Sequence, residues 1–172
     1  MVKRIKVINK KNYGMVIYNL LIIISLLINI NCNKDPIQAD LLDYINKDLK
    51  ELAELESAAV DAYGGSTGDN YTSDEELYQT LNTTVIPKYK EFNSRLEKVS
   101  IATSEVKDVH EKYISASNKQ YQAFLKLQIA IEKQDKNLVL ESNALLDSAR
   151  KDLRDWKFEL NELCKSHDVT FN

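Results

Sequence analysis

The sequence predicts an all-α fold, an antiparallel up-and-down four-helix bundle that follows an N-terminal signal segment. Two observations lead to this prediction. Residues 32–172 contain only three glycines and two prolines, so few positions can interrupt a helix. Apolar residues also recur every three or four positions in four segments of similar length. Matched segments with short connections are typical of such a bundle.

The first thirty-one residues differ in composition from the rest of the chain. Five basic residues and no acidic residue precede the apolar run at residues 15–28, and this order of regions is typical of a secretory signal peptide. As a helix, residues 15–30 would reach only roughly 24 Å, which is short of a bilayer core of about 30 Å. We therefore predict that residues 1–31 are removed as a signal peptide.

Cys32 comes directly after the apolar run, where the chain becomes polar. This arrangement resembles the lipobox of bacterial lipoproteins, in which the cysteine thiol is diacylated and the leader is cleaved just before it. The chain departs from that pattern at Asn29, where an aliphatic residue is usual. The resemblance implies lipidation at Cys32, with residues 32–36 as a tether. The alternative is an uncleaved signal anchor, and both place the domain outside, because the basic flank stays in the cytoplasm.

The first helix of the predicted bundle domain, residues 37–172, has one continuous apolar face. Its members are Ile37, Leu41, Ile45, Leu49, Leu52, Leu55, Ala59 and Tyr63. Gly64 and Gly65 follow this face, and glycine is common just past the C-terminus of a helix. The pattern therefore predicts that the first helix ends near Tyr63.

The second helix is predicted to begin after Ser73, which forms a capping box with Glu76. Its apolar face consists of Leu77, Leu81, Val85, Tyr89, Phe92, Leu96 and Val99. Pro87 lies inside this run and removes one backbone hydrogen bond, which predicts a kink or short break near residues 84–86. Because the face stays in phase, one bent helix is favoured. The alternative is a three-helix bundle with the second segment broken at Pro87.

The third and fourth helices are predicted on either side of a short break at residues 134–137. The third has an apolar face of Val106, Val109, Tyr113, Ala116, Gln120, Phe124, Leu127 and Ile131. The fourth has Leu138, Leu145, Ala149, Leu153, Trp156, Leu160 and Leu163. We expect the core of the bundle to contain Leu52, Phe92, Phe124 and Trp156.

The charge balance argues against nucleic acid as a partner. The leader holds five of the 23 basic residues and none of the 26 acidic ones, so residues 32–172 carry 18 basic residues and a net charge of −8. Phosphate backbones would be repelled by such a surface.

Motifs that would indicate an enzyme are absent from the sequence. No Glu-x-x-His pair ends at His110 or His167, and neither a phosphate-binding glycine loop nor a Gly-x-Ser-x-Gly turn occurs. Cys164 and His167 share a helix face and could supply two zinc ligands, but an ordinary helix C-terminus explains them more simply. We therefore predict no enzymatic activity, no cofactor and no metal site.

The loop at residues 64–73 is the longest predicted irregular segment within the bundle. It lacks the alternating acidic pattern of a calcium-binding loop. Because Cys32 lies within five residues of the first helix, this loop would lie at the tip far from the membrane. Tyr71 is an aromatic among small polar residues, and such side chains often anchor interfaces. We therefore predict Asn70 and Tyr71 as candidate partner contacts; the alternative is that Tyr71 caps the bundle end.

The leader, Cys32, the acidic helical body and residues 68–72 ahead of residues 85–89 resemble small helical lipoproteins of Gram-positive bacteria. The resemblance covers most of residues 32–172 and implies location and fold but no activity. We expect a monomer on the outer face of the cell membrane, held there by its N-terminal lipid. We expect it to act as a non-catalytic binding or interaction module for a protein partner. The alternative is an immunity or envelope-accessory lipoprotein that sequesters a toxin or assists a membrane complex.

Overall fold

The computed structural model describes residues 35–170, which form four long helices and contain no strand. Helix α1 comprises Pro36–Asp43, a π-helical stretch at Tyr44–Leu49, and Lys50–Gly64. Helix α2 comprises Asp74–Thr80, a π-helical stretch at Leu81–Val85, and Ile86–Leu96. Helix α3 is Ser104–Lys133 and helix α4 is Lys136–Ser166. A 3₁₀ turn, Gly68–Asn70, lies between α1 and α2. The predicted all-α bundle of four helices is confirmed.

Contacts at the two ends of the bundle show that successive helices run in opposite directions. His167, which follows α4, lies with its Nδ1 atom 2.6 Å from Oδ2 of Asp35, which precedes α1. At the opposite end, Nε2 of Gln134 after α3 lies 3.3 Å from Oδ2 of Asp74, the first residue of α2. We call these the Asp35 end and the Asp74 end.

Side chains cap the N-termini of the helices. Asp35, Ser73 and Asp135 each accept a hydrogen bond from a backbone N–H in the first turn of their own helix. Only half of the predicted capping box at Ser73 forms, because the carboxylate of Glu76 accepts from the Thr72 hydroxyl instead. The N-terminus of α3 has no such cap of its own and is bound from α1, as described below.

The π-helical stretch in α2 ends two residues before Pro87. Proline lacks an N–H and its ring crowds the carbonyl four residues earlier, here that of Thr83. The wider turn at Leu81–Val85 surrounds this carbonyl, and the helix continues through Pro87 without a break. The second segment is therefore one helix, and the three-helix alternative is wrong.

Two adjoining clusters of buried side chains form the core. The larger contains Leu52, Phe92 and Phe124, as predicted, and the smaller lies toward the Asp35 end around Leu41 and Val106. Trp156 is only partly buried and packs against both clusters. Within residues 35–170, no helix is both long enough and apolar enough to cross a membrane.

Candidate functional site

A groove separates α1 from α4 on the side of the bundle where their middle turns face each other. Its volume is about 510 Å³. The lining is mainly apolar and is formed by Ala53, Val60, Tyr63, Phe124, Leu146 and Leu153. Cavities of this size with an apolar lining and a few polar groups are typical of ligand sites. We call it the α1–α4 groove.

Glu56 of α1 places a carboxylate in this apolar lining. The residue is partly buried, and its Oε2 atom accepts a hydrogen bond of 2.6 Å from the Tyr113 hydroxyl. No salt bridge formed by residues 35–170 involves Glu56. Burial raises the pKa of Glu56 above its usual value, while the Tyr113 hydrogen bond offsets part of that rise. The groove thus contains a shielded carboxylate without a counter-ion.

Aromatic side chains hold the partner of Glu56 in place. The ring of Tyr113 stacks on Trp156, with centroids 3.8 Å apart and planes at 10°. Burial raises the pKa of the Tyr113 hydroxyl, so this group remains a proton donor to Glu56. The nearby Tyr89 hydroxyl is fully buried and finds no hydrogen-bond partner within the described residues. These contacts fix Glu56 from the core side and leave its other face toward the groove.

The other polar residues of the groove lining are Ser57, Asp61, Gln120 and Arg150. Gln120 of α3 is 7% exposed and lines the groove, and its amide makes no hydrogen bond to another group of residues 35–170. The amide group can therefore hydrogen-bond a ligand that fills the groove. Arg150 is exposed at the rim, where its Nη1 atom lies 3.1 Å from Oδ1 of Asp147.

A second cavity of about 610 Å³ lies at the Asp74 end and shares Tyr63 and Arg150 with the groove. Tyr71 lines this cavity and is 47% exposed, and its hydroxyl donates to Oδ1 of Asp74 at 2.9 Å. Asn70 is exposed and its Nδ2 atom donates to the Gly64 carbonyl at 3.1 Å. The two candidate contact residues therefore lie beside the groove, and their role in binding a partner stays a prediction.

The part of the chain that forms one side of the groove is strongly acidic. Residues 51–87 contain eight acidic residues and neither lysine nor arginine. These residues make up the second half of α1, the loop after it and the first half of α2. Of these eight acidic residues, Glu56 and Asp61 line the groove itself, and their negative charges favour a cationic partner there.

The histidines and the second cysteine are engaged elsewhere. His110 is buried, its Nδ1 atom lies 3.2 Å from the Tyr44 hydroxyl, and burial lowers its pKa, which favours the neutral ring. His167 pairs with Asp35, whereas Cys164 is buried with a pKa raised by burial. In the part of the chain that the structure describes, no three His, Cys, Asp or Glu side chains lie close enough to hold a metal ion.

Two polar residues that occupy core positions of the helical period indicate the groove in the sequence. Glu56 lies four residues after Leu52 and three before Ala59, where the spacing of the face would place an apolar residue. Gln120 interrupts the apolar face of α3 in the same way. A charged or amide side chain at a core position is expensive unless it is paired, so these two positions indicated a site.

The predicted signal segment and the lipidation site at Cys32 lie outside the described residues. For the described part, the geometry offers a groove with a shielded carboxylate and an acidic rim. No protein family, curated protein or solved structure matches the chain.

Proposed function

We propose that this protein is a non-catalytic binding module, anchored by a lipid to the outer face of the cell membrane, that holds a partner in the α1–α4 groove. The observation that carries the proposal is Glu56, a partly buried carboxylate without a salt-bridge partner in residues 35–170. Burying a charge without a counter-ion costs stability. Perturbed titratable groups of this kind cluster at functional sites, and the groove gives Glu56 access to a ligand.

The position of the candidate contact residues is consistent with this proposal. Tyr71 lines the cavity that continues the groove at the Asp74 end. Its exposed ring is available to a partner, and aromatic side chains contribute strongly to interfaces. A partner that fills the groove would thus also reach Tyr71, and through it the neighbouring Asn70.

The anchor is supported by the sequence. The basic leader, the apolar run and Cys32 come in the order of a lipoprotein signal, and Cys32 lies four residues before the first helical residue, Pro36. Stable membrane attachment needs two lipid chains, because one acyl chain binds only marginally. A diacylated Cys32 would supply both.

Site-specific photo-crosslinking in intact cells tests the groove as a partner site. The full-length protein would carry benzoylphenylalanine in place of Val60, which lines the groove and is 39% exposed. The matched control carries it in place of Phe158, which is 65% exposed and does not line the groove. We expect a discrete crosslinked adduct at residue 60 and none at residue 158. Adducts at residue 158 alone, or no adduct at either, would contradict the proposal.

A further inference from the structure

We infer that the α1–α4 groove binds a basic amphipathic helix, and that a lysine or arginine of that helix pairs with Glu56. This inference rests on the proposed function and names the class of partner for the same groove. Three features of the molecule support it: the length of the groove, the sign of its surrounding charge and the position of its carboxylate.

The groove is long enough for a helix. It and the cavity at the Asp74 end share Tyr63 and Arg150 in their linings, so the two adjoin, and we call them together the trough. The trough follows α1 and the loop after it from Ala53 to Gly68. At about 1.5 Å per residue, the helical part alone spans roughly 17 Å, or about three turns. A helix laid into such a trough presents apolar side chains at positions i, i+3, i+4 and i+7.

The lining of the trough suits those apolar side chains. Val60 is exposed at one wall, Leu153 is partly buried at the other, and Phe124 lies buried between them. A helix seated there would remove Val60 from water, and burial of apolar surface is the main favourable contribution to association. The shape of the trough by itself does not distinguish one apolar partner from another. The charges around the trough must therefore select the partner.

The charges around the trough favour a basic partner. Three acidic residues line the two cavities: Glu56, Asp61 and Asp74. Among the residues that line either cavity, Arg150 is the one basic residue, and its guanidinium forms an exposed ion pair with Asp147 at 3.1 Å, so acidic side chains outnumber it three to one. An acidic helix or an anionic lipid would be repelled, whereas a basic helix would be attracted and oriented as it approaches.

Glu56 defines where a positive charge must lie. Its carboxylate has one hydrogen-bond partner within the described residues, Tyr113, and it belongs to a lining that is mainly apolar. A lysine or arginine from the partner would form a charge-assisted hydrogen bond that water screens only weakly. A wholly apolar helix would instead cover Glu56 and leave its charge uncompensated, which disfavours binding.

Synthetic peptides provide the probe. We would measure the fluorescence anisotropy of a labelled 15-residue amphipathic helix of Leu and Lys, which is roughly four helical turns long. A matched peptide carries Glu in place of every Lys. The full-length protein would be held in nanodiscs of zwitterionic lipid, and the signal of empty nanodiscs would be subtracted. We expect saturable binding of the Leu/Lys peptide and none of the Leu/Glu peptide.

Three variants assign the binding to the groove. Glu56→Gln keeps an acceptor for Tyr113 but removes the charge, and we expect it to weaken binding about tenfold. Glu54→Gln is the matched control, because Glu54 is exposed on the same helix and does not line the groove. It should change binding less than about twofold, on the scale of an exposed charge. Val60→Lys adds bulk and positive charge inside the groove and should abolish saturable binding.

The results separate this inference from the proposed function. Lack of saturable binding, equal effects of Glu56→Gln and Glu54→Gln, or full binding by Val60→Lys would overturn the basic-helix inference. If a crosslinked adduct at residue 60 is nevertheless found, the groove binds a partner of another chemistry and the proposed function stands. If that adduct is missing as well, both are wrong.

Discussion

The binding role that we propose for Glu56 is opposed by the cost of burying this residue in the free protein. Its carboxylate lies between Leu52 and Ala59 on the apolar face of α1, and Tyr113 is its hydrogen-bond partner. A neutral side chain of similar size would lower the cost of burial at this position. The cost of burying Glu56 in the free protein should therefore be measurable in the pH dependence of the free energy of unfolding.

We expect Glu56→Gln to stabilise the protein near neutral pH. Burial raises the pKa of Glu56, so the folded state holds this proton more tightly than the unfolded state does. Stability is therefore lost as pH rises from the usual range of a glutamic acid through the raised pKa. The variant should gain about 1 kcal/mol at about pH 7, and this gain should largely disappear at about pH 4, where Glu56 is mostly protonated in both states.

Urea unfolding at both pH values checks this, with the fluorescence of Trp156, the single tryptophan, as the signal. Glu54→Gln should leave stability unchanged at both pH values, because its side chain is exposed. A Glu56→Gln protein that is less stable than the parent near neutral pH would show that the carboxylate contributes to folding rather than opposing it.

At the scale of the helices, the register was harder to predict than the helices themselves. The spacing of apolar residues is a local property, and it located all four helices. The π-helical stretch in α1 widens one turn and changes the phase of its face, so Tyr44 is buried while Ile45 is only partly buried. In α4 the adjacent Leu145 and Leu146 both fit the period, and the structure buries Leu146. Which of two adjacent residues is buried depends on contacts between helices, and the spacing of apolar residues along one helix does not encode those contacts.

Asp40 joins two helices that are far apart in the sequence. Its Oδ2 atom accepts hydrogen bonds from the backbone N–H of Thr103 at 2.8 Å and from the Thr103 hydroxyl at 2.6 Å. Its Oδ1 atom accepts from the backbone N–H of Ala102 at 3.2 Å. Asp40 thus binds backbone donors just ahead of α3, where a negative charge also interacts favourably with the helix dipole.

We expect Asp40→Ala to destabilise the protein by about 1–2 kcal/mol, the usual cost of losing a cap. Asp43→Ala is the matched control, because Asp43 is an exposed acidic residue in the same part of α1. It should cost less than about 0.5 kcal/mol. Thermal unfolding followed by circular dichroism measures both. Equal losses in the two variants would mean that the hydrogen bonds to residues 102 and 103 add nothing to stability.

At the scale of the whole molecule, the short connections between the helices predicted their antiparallel order. They did not predict the groove. In an up-and-down bundle the loop at residues 64–73 and the turn near Gln134 share one end, and the contact between Gln134 and Asp74 shows this arrangement. The groove depends on how far α1 stands from α4, which is set by side chains from all four helices. Only Glu56 and Gln120, as polar residues at core positions, indicated it in advance.

The proposed placement of this bundle at the membrane rests on Cys32, and Cys32→Ser tests it. The chain contains two cysteines, and the second, Cys164, is 1% exposed within the folded domain. The serine hydroxyl cannot replace the thiol as acceptor of the diacylglyceryl group. We therefore expect Cys32→Ser to lose all labelling by an alkyne fatty acid fed to the cells. The protein should then appear as an uncleaved or released form, partitioning away from the detergent phase if released.

Cys164→Ser is the matched control and should keep both the label and the membrane fraction, because a buried thiol in the folded domain is not available for acylation. Circular dichroism of this variant verifies that the bundle still folds. Unchanged labelling of Cys32→Ser would refute the lipid anchor. In that case the apolar run at residues 15–28 would have to hold the chain as an uncleaved signal anchor. The domain would still lie on the outer face, because the basic leader keeps the N-terminus in the cytoplasm in either arrangement.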